Sequence, residues 1–312
     1  MSQAPPYIDA DAIARLVPMS AAVEAVEAVL RTGLDPESEP PRGVVGVPGG
    51  QLLMMPSSTA SYTGVKVATV TPQNAARGLP RVQGVYLLLD GETHTPLALL
   101  DGIALTSLRT PAVSGAAIKH LAVPEARRLL VFGTGPQAWG HVEAVRAVRP
   151  ALDHVDVVAR NPERVAAFVA RCRDAGLSAA PATPADVATA DVVCCCTTAR
   201  EPLFDSTLLP PHATVAAVGS HEPDAREVDE RLLERGLVVA ESHEVARREC
   251  GDIVLAVDAG AFDMGRLRTL GELVRGEVKI ADDRPRLFKS AGMAWEDLGV
   301  GAAAYEGWRG RG

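Results

Sequence analysis

Aromatic residues are scarce: five Phe, four Tyr and three Trp make up 4% of 312 residues. A core without them must rest on Val, Leu and Ala. The 47% hydrophobic content is ample for that and excludes general disorder. No basic excess exists. With a net charge of −8 and scattered Lys and Arg, the chain has no stripe to displace counterions, so no nucleic-acid partner is expected. No run approaches the roughly 18 uninterrupted apolar residues of a membrane span. No basic region followed by an apolar stretch opens the chain, so a signal peptide is not expected either. Cysteines are few and odd in number: Cys172, Cys194, Cys195, Cys196 and Cys250. The consecutive three occupy a strand-like run, where neighbours point to opposite faces and cannot converge on a tetrahedral metal. They read as small buried hydrophobes in a reducing compartment, with a cytoplasmic location and no metal expected.

What is present is more specific. Arg128-Leu-Leu-Val-Phe-Gly133-Thr-Gly135-Pro136-Gln137-Ala138 is a short apolar run feeding into Gly-x-Gly-x-x-Ala, and a helical pattern follows from Trp139 to Val148. This strand, tight turn and helix start hold a dinucleotide pyrophosphate. Gly133 permits the turn, Gly135 admits the phosphates, and Ala138 lets helix and strand pack closely. The free N–H groups of the helix start then face the anion. A bare glycine loop is as often only a turn, but the flanking strand and helix favour the nucleotide.

The next strand, His154-Val-Asp-Val-Val-Ala159-Arg160-Asn161, ends where NAD enzymes place an acid on the ribose 2′-hydroxyl. Here the acid is absent and Arg160 stands beside Ala159. A guanidinium binds a 2′-phosphate well, so NADP(H) is expected, with NAD(H) as the alternative. The plainer alternative for Arg160 is a solvated residue at a strand end.

Along the chain, Ser20 is expected to cap a helix carrying Val23, Val26 and Leu30. Val44–Val47 and Gln51–Met55 flank the hairpin signal Pro48-Gly49-Gly50, with further strands at Tyr62–Thr71 and Val82–Leu89. Ala104 to Leu121 reads as a helix interrupted or kinked around Pro111. From Leu129, short apolar strands alternate with helices: Leu129–Phe132, Val155–Val158, Val192–Cys196, Thr214–Val218 and Leu237–Ala240. Such alternation implies a parallel sheet covered on both faces, hence an α/β fold of Rossmann type. Near Phe288 it stops, and Met293–Tyr305 is expected to return to the first domain.

Outside the glycine turn, Lys66 lies in the otherwise apolar Gly64-Val65-Lys66-Val67-Ala68. Alternation sets it on the face opposite Val65 and Val67, either as a cation on the wet side of a sheet or as a site residue. Arg42 and Arg109 read singly as surface cations and together with Lys66 as a pocket for a carboxylate. His221, in Val218-Gly-Ser-His-Glu-Pro-Asp224, lies beyond a strand of the nucleotide sheet, where ligands meet parallel strands. It is equally a proton donor or a cap on the following turn.

Arg42, Gly64-Val-Lys66, Ser107-Leu-Arg109-Thr110, Gly133-Thr-Gly-Pro-Gln137, Val218-Gly-Ser-His-Glu-Pro-Asp224 and Phe288-Lys-Ser-Ala-Gly292 occur in one order. That order resembles the ornithine cyclodeaminase/μ-crystallin family from Arg42 to Glu296-Asp297-Leu298. The resemblance implies a homodimer. It also implies a Rossmann-type NAD(P) domain, residues 119–288, inserted into a smaller α+β substrate-binding and dimerisation domain, residues 1–118 with 289–312. Positions matching Arg42, Lys66 and Arg109 surround the substrate carboxylate and imine. Those matching Pro136, Gln137, Arg160, Thr197, Val218 and Ser290 lie along the cofactor, and Ala291 lies near the substrate.

Two departures bear on the reaction. Ornithine cyclodeaminases carry an Asp in place of His221, and a Glu near the second strand where this chain has Leu53. A Leu cannot accept hydrogen bonds from a distal ammonium, so diamino acids are disfavoured. The expected activity is therefore NAD(P)H-dependent reduction of a carboxylated cyclic imine, with Lys66, Arg109 and His221 as catalytic candidates. The alternatives are ornithine or lysine cyclodeamination, an alanine-type amino-acid dehydrogenase, and a non-catalytic NADP-dependent binder of a small molecule.

Overall fold

A computed structural model of the chain describes residues 4–310. In chain order the first elements are β1 (Tyr7–Ile8), α1 (Ala10–Leu16), α2 (Met19–Arg31), β2 (Gly43–Val47), β3 (Gly50–Ser58), β4 (Tyr62–Val70), β5 (Val82–Asp90), β6 (Pro96–Asp101) and α3 (Gly102–Leu121). Then follow β7 (Arg128–Phe132), α4 (Pro136–Val148), β8 (His154–Val158), α5 (Pro162–Asp174), β9 (Ser178–Pro181), β10 (Val192–Cys195), β11 (Thr214–Ala217), α6 (Glu230–Arg235), β12 (Leu237–Ala240), α7 (His243–Glu249) and α8 (Gly251–Asp258). The last are β13 (Arg268–Thr269), α9 (Leu270–Val274), β14 (Arg286–Lys289) and α10 (Ala294–Arg309). The chain divides into two compact units, one of residues 1–112 and 293–312 and one of residues 113–292.

In the first unit six strands form one sheet in the order β1-β6-β5-β4-β3-β2, antiparallel except for the β1–β6 pair. Gly49, with φ +82°, turns the tight hairpin between Val47 and Gly50. Register places Met55, Lys66 and Tyr86 side by side on one face, and Ser57, Gly64 and Leu88 in the next row. This face is buried, and α10 packs across β3, β4 and β5 before meeting α2. The opposite face is apolar yet open: Val65, Val67, Val85 and Leu87 are half-buried, while Val45, Val47 and Met54 are exposed. Lys66 therefore lies on the dry side of its sheet, and the wet-side reading of it is wrong.

Two local expectations also change. Ser20 lies inside the first turn of α2, whose N-cap is Pro18 with no side-chain bond. Pro111 does not interrupt α3, which is helical over 20 residues. The helix starts on Asp101, whose Oδ1 accepts from the backbone of Ile103 and Ala104 at 2.9 Å each.

In the second unit eight strands are all parallel, in the order β13-β12-β14-β11-β10-β7-β8-β9. The short β14, unforeseen from the sequence, is central, between β11 and β12. Cys194 and Cys195 are both fully buried because helices cover both faces of such a sheet, and burial pushes their thiols well up. Among the described residues no helix is long and apolar enough to cross a membrane.

Candidate functional site

The nucleotide turn is built as its glycines require. Gly133 has φ +112°, and a Cβ there would sit 2.6 Å from the Cys196 carbonyl oxygen. Gly135 is the N-cap of α4, Pro136 opens that helix, and a Cβ on Gly135 would meet nothing within 4 Å. That open space lies where a pyrophosphate must approach the backbone. Ala138 is wholly buried, and the buried Oε1 of Gln137 has no hydrogen-bond partner. Together these features fit a dinucleotide. Arg160 is exposed just past β8, on the step before the cap of α5.

Thr197 follows β10, and Val218 follows β11, where its N–H donates to Cys195 O at 3.0 Å. Ser290, 2% exposed, donates its hydroxyl to Glu241. The backbone N–H groups of Ala291 and Gly292 donate to the same carboxylate at 3.0 Å. His221 is exposed in the loop after β11.

In the first unit Lys66 is 4% exposed, and its Nζ donates to Asp297 Oδ2 at 2.7 Å and to Thr106 Oγ1 at 3.2 Å. Arg109, on α3 and 6% exposed, pairs with Glu296 and stands 3.5 Å from Asp297 Oδ1. Asp297 thus joins two of the three cations expected around a carboxylate. Arg42 stands half-exposed directly ahead of β2. Burial lowers the Lys66 ammonium from its ordinary range, and the Asp297 carboxylate opposes that shift. A buried lysine beside an arginine can grip a carboxylate and also hand a proton to a neighbouring nitrogen.

The ornithine cyclodeaminase/mu-crystallin family matches residues 8–312. The chain belongs to that family. It is 36% identical to a Δ1-pyrroline-2-carboxylate reductase of Bacillus cereus over 81% of this chain and 80% of that one. Among solved structures, the Thermococcus litoralis Δ1-pyrroline-2-carboxylate reductase in complex with NADH and L-proline superposes with a TM-score of 0.90 at 30% identity, covering 98% of both chains. An archaeal alanine dehydrogenase dimer with bound NAD superposes at 0.91 and 28% identity, covering 98% of this chain and 97% of that one.

For this family member the sequence understated the acids. Glu296 and Asp297 are fully buried, though acids in the first turn of a helix read as surface groups favoured by its dipole. Glu227, Glu241 and Asp252, all at most 1% exposed, sit in charged stretches that look solvated. His141 was missed as well. It is fully buried, with Nδ1 2.8 Å from Gln137 O and Nε2 2.8 Å from Ser114 Oγ. Burial lowers its pKa to about 4.

Proposed function

We propose that the chain is an NAD(P)H-dependent reductase of carboxylated cyclic imines, such as Δ1-pyrroline-2-carboxylate or Δ1-piperideine-2-carboxylate. Its product is an L-amino acid such as proline. The observation that carries the reading is the buried Lys66–Asp297–Arg109 constellation. It supplies a carboxylate grip and a proton source in one dry place. Arg109 and Arg42 are the proposed grip on the substrate carboxylate, and Ala291 is proposed as a further substrate-binding residue. Lys66 hydrogen-bonds the carboxylate or the imine nitrogen and favours the iminium form. Asp297 opposes the lowering of the Lys66 pKa that burial causes. His221, exposed after β11, is the candidate proton donor, directly or through a water it holds.

A nicotinamide nucleotide supplies the hydride when bound. Gly133, Gly135, Pro136, Gln137 and Ala138 hold its pyrophosphate side, with Thr197, Val218 and Ser290 along its length. Arg160 beside Ala159 favours NADP(H), since a guanidinium there attracts a 2′-phosphate that an acid would repel. The related structures hold NADH and NAD. Replacing Arg160 by Asp should therefore move the preference toward NAD(H), read as the ratio of kcat/KM for the two coenzymes. An unchanged ratio removes Arg160 from this role.

We further infer a homodimer, since the open apolar face of the first unit's sheet is the kind of surface a second copy covers. The archaeal alanine dehydrogenase with the same fold is a dimer.

The deciding assay offers the protein NADPH with cyclic ketimines, then with pyruvate plus ammonia, and separately ornithine or lysine with NAD+. Oxidation of NADPH with ketimines alone supports the reading. Turnover of pyruvate with ammonia replaces it by an amino-acid dehydrogenase, the second reading favoured by the alanine dehydrogenase likeness. Proline and ammonia from ornithine would replace it by cyclodeamination. That outcome is opposed by Leu53, a half-buried aliphatic on the Lys66 face.

A further inference from the structure

We propose that Glu227 is a positioning residue that locks together the two loops after β10 and β11, which carry Thr197 and His221, in the arrangement that receives the nicotinamide nucleotide. The inference rests on the functional reading above, and its geometry lies within the second unit.

Glu227 is fully buried. Its Oε1 accepts from the backbone N–H of Thr197 at 2.8 Å and from the Thr197 hydroxyl at 2.7 Å. Its Oε2 accepts from the N–H of Gly219 at 2.7 Å. One carboxylate thereby ties together loops that leave neighbouring parallel strands at their carboxyl ends, the edge where such sheets bind ligands. The loops meet so closely that a Cβ on residue 219 would lie 1.9 Å from Thr197 O and 2.5 Å from Glu227 Oε1. Only glycine fits there.

The clamp is itself held. Asp252 Oδ1 accepts from the N–H groups of Glu227 and Val228 at 2.7 and 2.9 Å. Its Oδ2 pairs with Lys289 Nζ at 2.9 Å, and Lys289 also donates to Ser220 O at 2.8 Å. Ser220 directly precedes His221, and its hydroxyl donates to Ala225 O at 2.7 Å. The backbone leading into His221 is thus fixed from two sides by buried groups. Two buried acids and one buried lysine are costly to assemble, and a loop needing no defined shape would not require them.

Glu227→Gln keeps the shape but presents an amide donor to one of the two loop N–H groups, breaking one arm of the clamp. NADPH titration by fluorescence should show binding weakened about tenfold, while the KM for the imine stays within about twofold. Equal losses in both would mean a merely structural role and overturn the proposal, as would unchanged NADPH binding. Hydrogen exchange on the wild-type protein tests it without any variant. The Thr197 and Gly219 amides should exchange as slowly as those of β11, and fast exchange at either sinks the clamp. If wild-type protein bound neither NADPH nor NADH while both amides stayed protected, the functional reading would fail and the cofactor role of the clamp with it.

Discussion

Lys66 shows how one buried charge is made useful. Water would stabilise its ammonium freely, but in the dry face between β4 and α10 that task falls to Asp297 and Thr106. The same burial moves its pKa downward, the direction the proposed proton supply to an imine needs. Lys66→Met should lower kcat/KM for the imine by about 10²–10⁴-fold with NADPH binding retained, as checked by steady-state kinetics and fluorescence titration. His141 gives a second consequence at this scale. The folded protein resists protonating it, so between pH 6.5 and about 4 the unfolded chain holds more protons. Stability should therefore fall as pH drops through that window, by about 3 kcal/mol in all, and show no His141 contribution above it. Urea unfolding at a series of pH values measures this, and His141→Gln should remove that part of the slope.

Among the elements, α3 and α10 do most to place the candidate site, and they differ in how legible they were. The body of α3 could be read from its apolar pattern; its unbroken passage through Pro111 could not, because propensity alone weighs against proline in a helix. Its end is secured by a residue far along the chain. Arg149, 7% exposed, donates from Nη2 to Ile118 O at 3.0 Å and Lys119 O at 2.9 Å, and from Nε to Val123 O at 2.9 Å. Arg149→Lys loses the planar fork that reaches these carbonyls together and should cost about 2 kcal/mol by chemical denaturation. The strands β2 to β5 and the nucleotide turn were readable because period-two alternation and glycine chemistry are local signals. The ion-pairing of Glu296 and Asp297, the clamp by Glu227 and the central β14 were not. Each depends on contacts between distant segments, which no window of sequence displays.

For the whole molecule, the sheet of the first unit has one face under α10 and one face open and apolar. Placing a charge at its middle tests what covers it. Should the proposed homodimer pair through this face, Val67→Asp will convert it to monomer in light scattering, with the fold preserved by circular dichroism, because a carboxylate in an apolar interface is left desolvated and unpaired. A dimer that survives the substitution would place the contact elsewhere.

The pairing of Lys66 with Asp297 joins positions 231 residues apart. During synthesis the first unit is therefore begun before the second and finished after it, since the acids that pair with Lys66 and Arg109 lie on α10. Closing so long a loop is entropically slow. Until then the nascent sheet has no α10 to cover it, and uncovered apolar strand faces of this kind are what make a partly folded chain prone to aggregate.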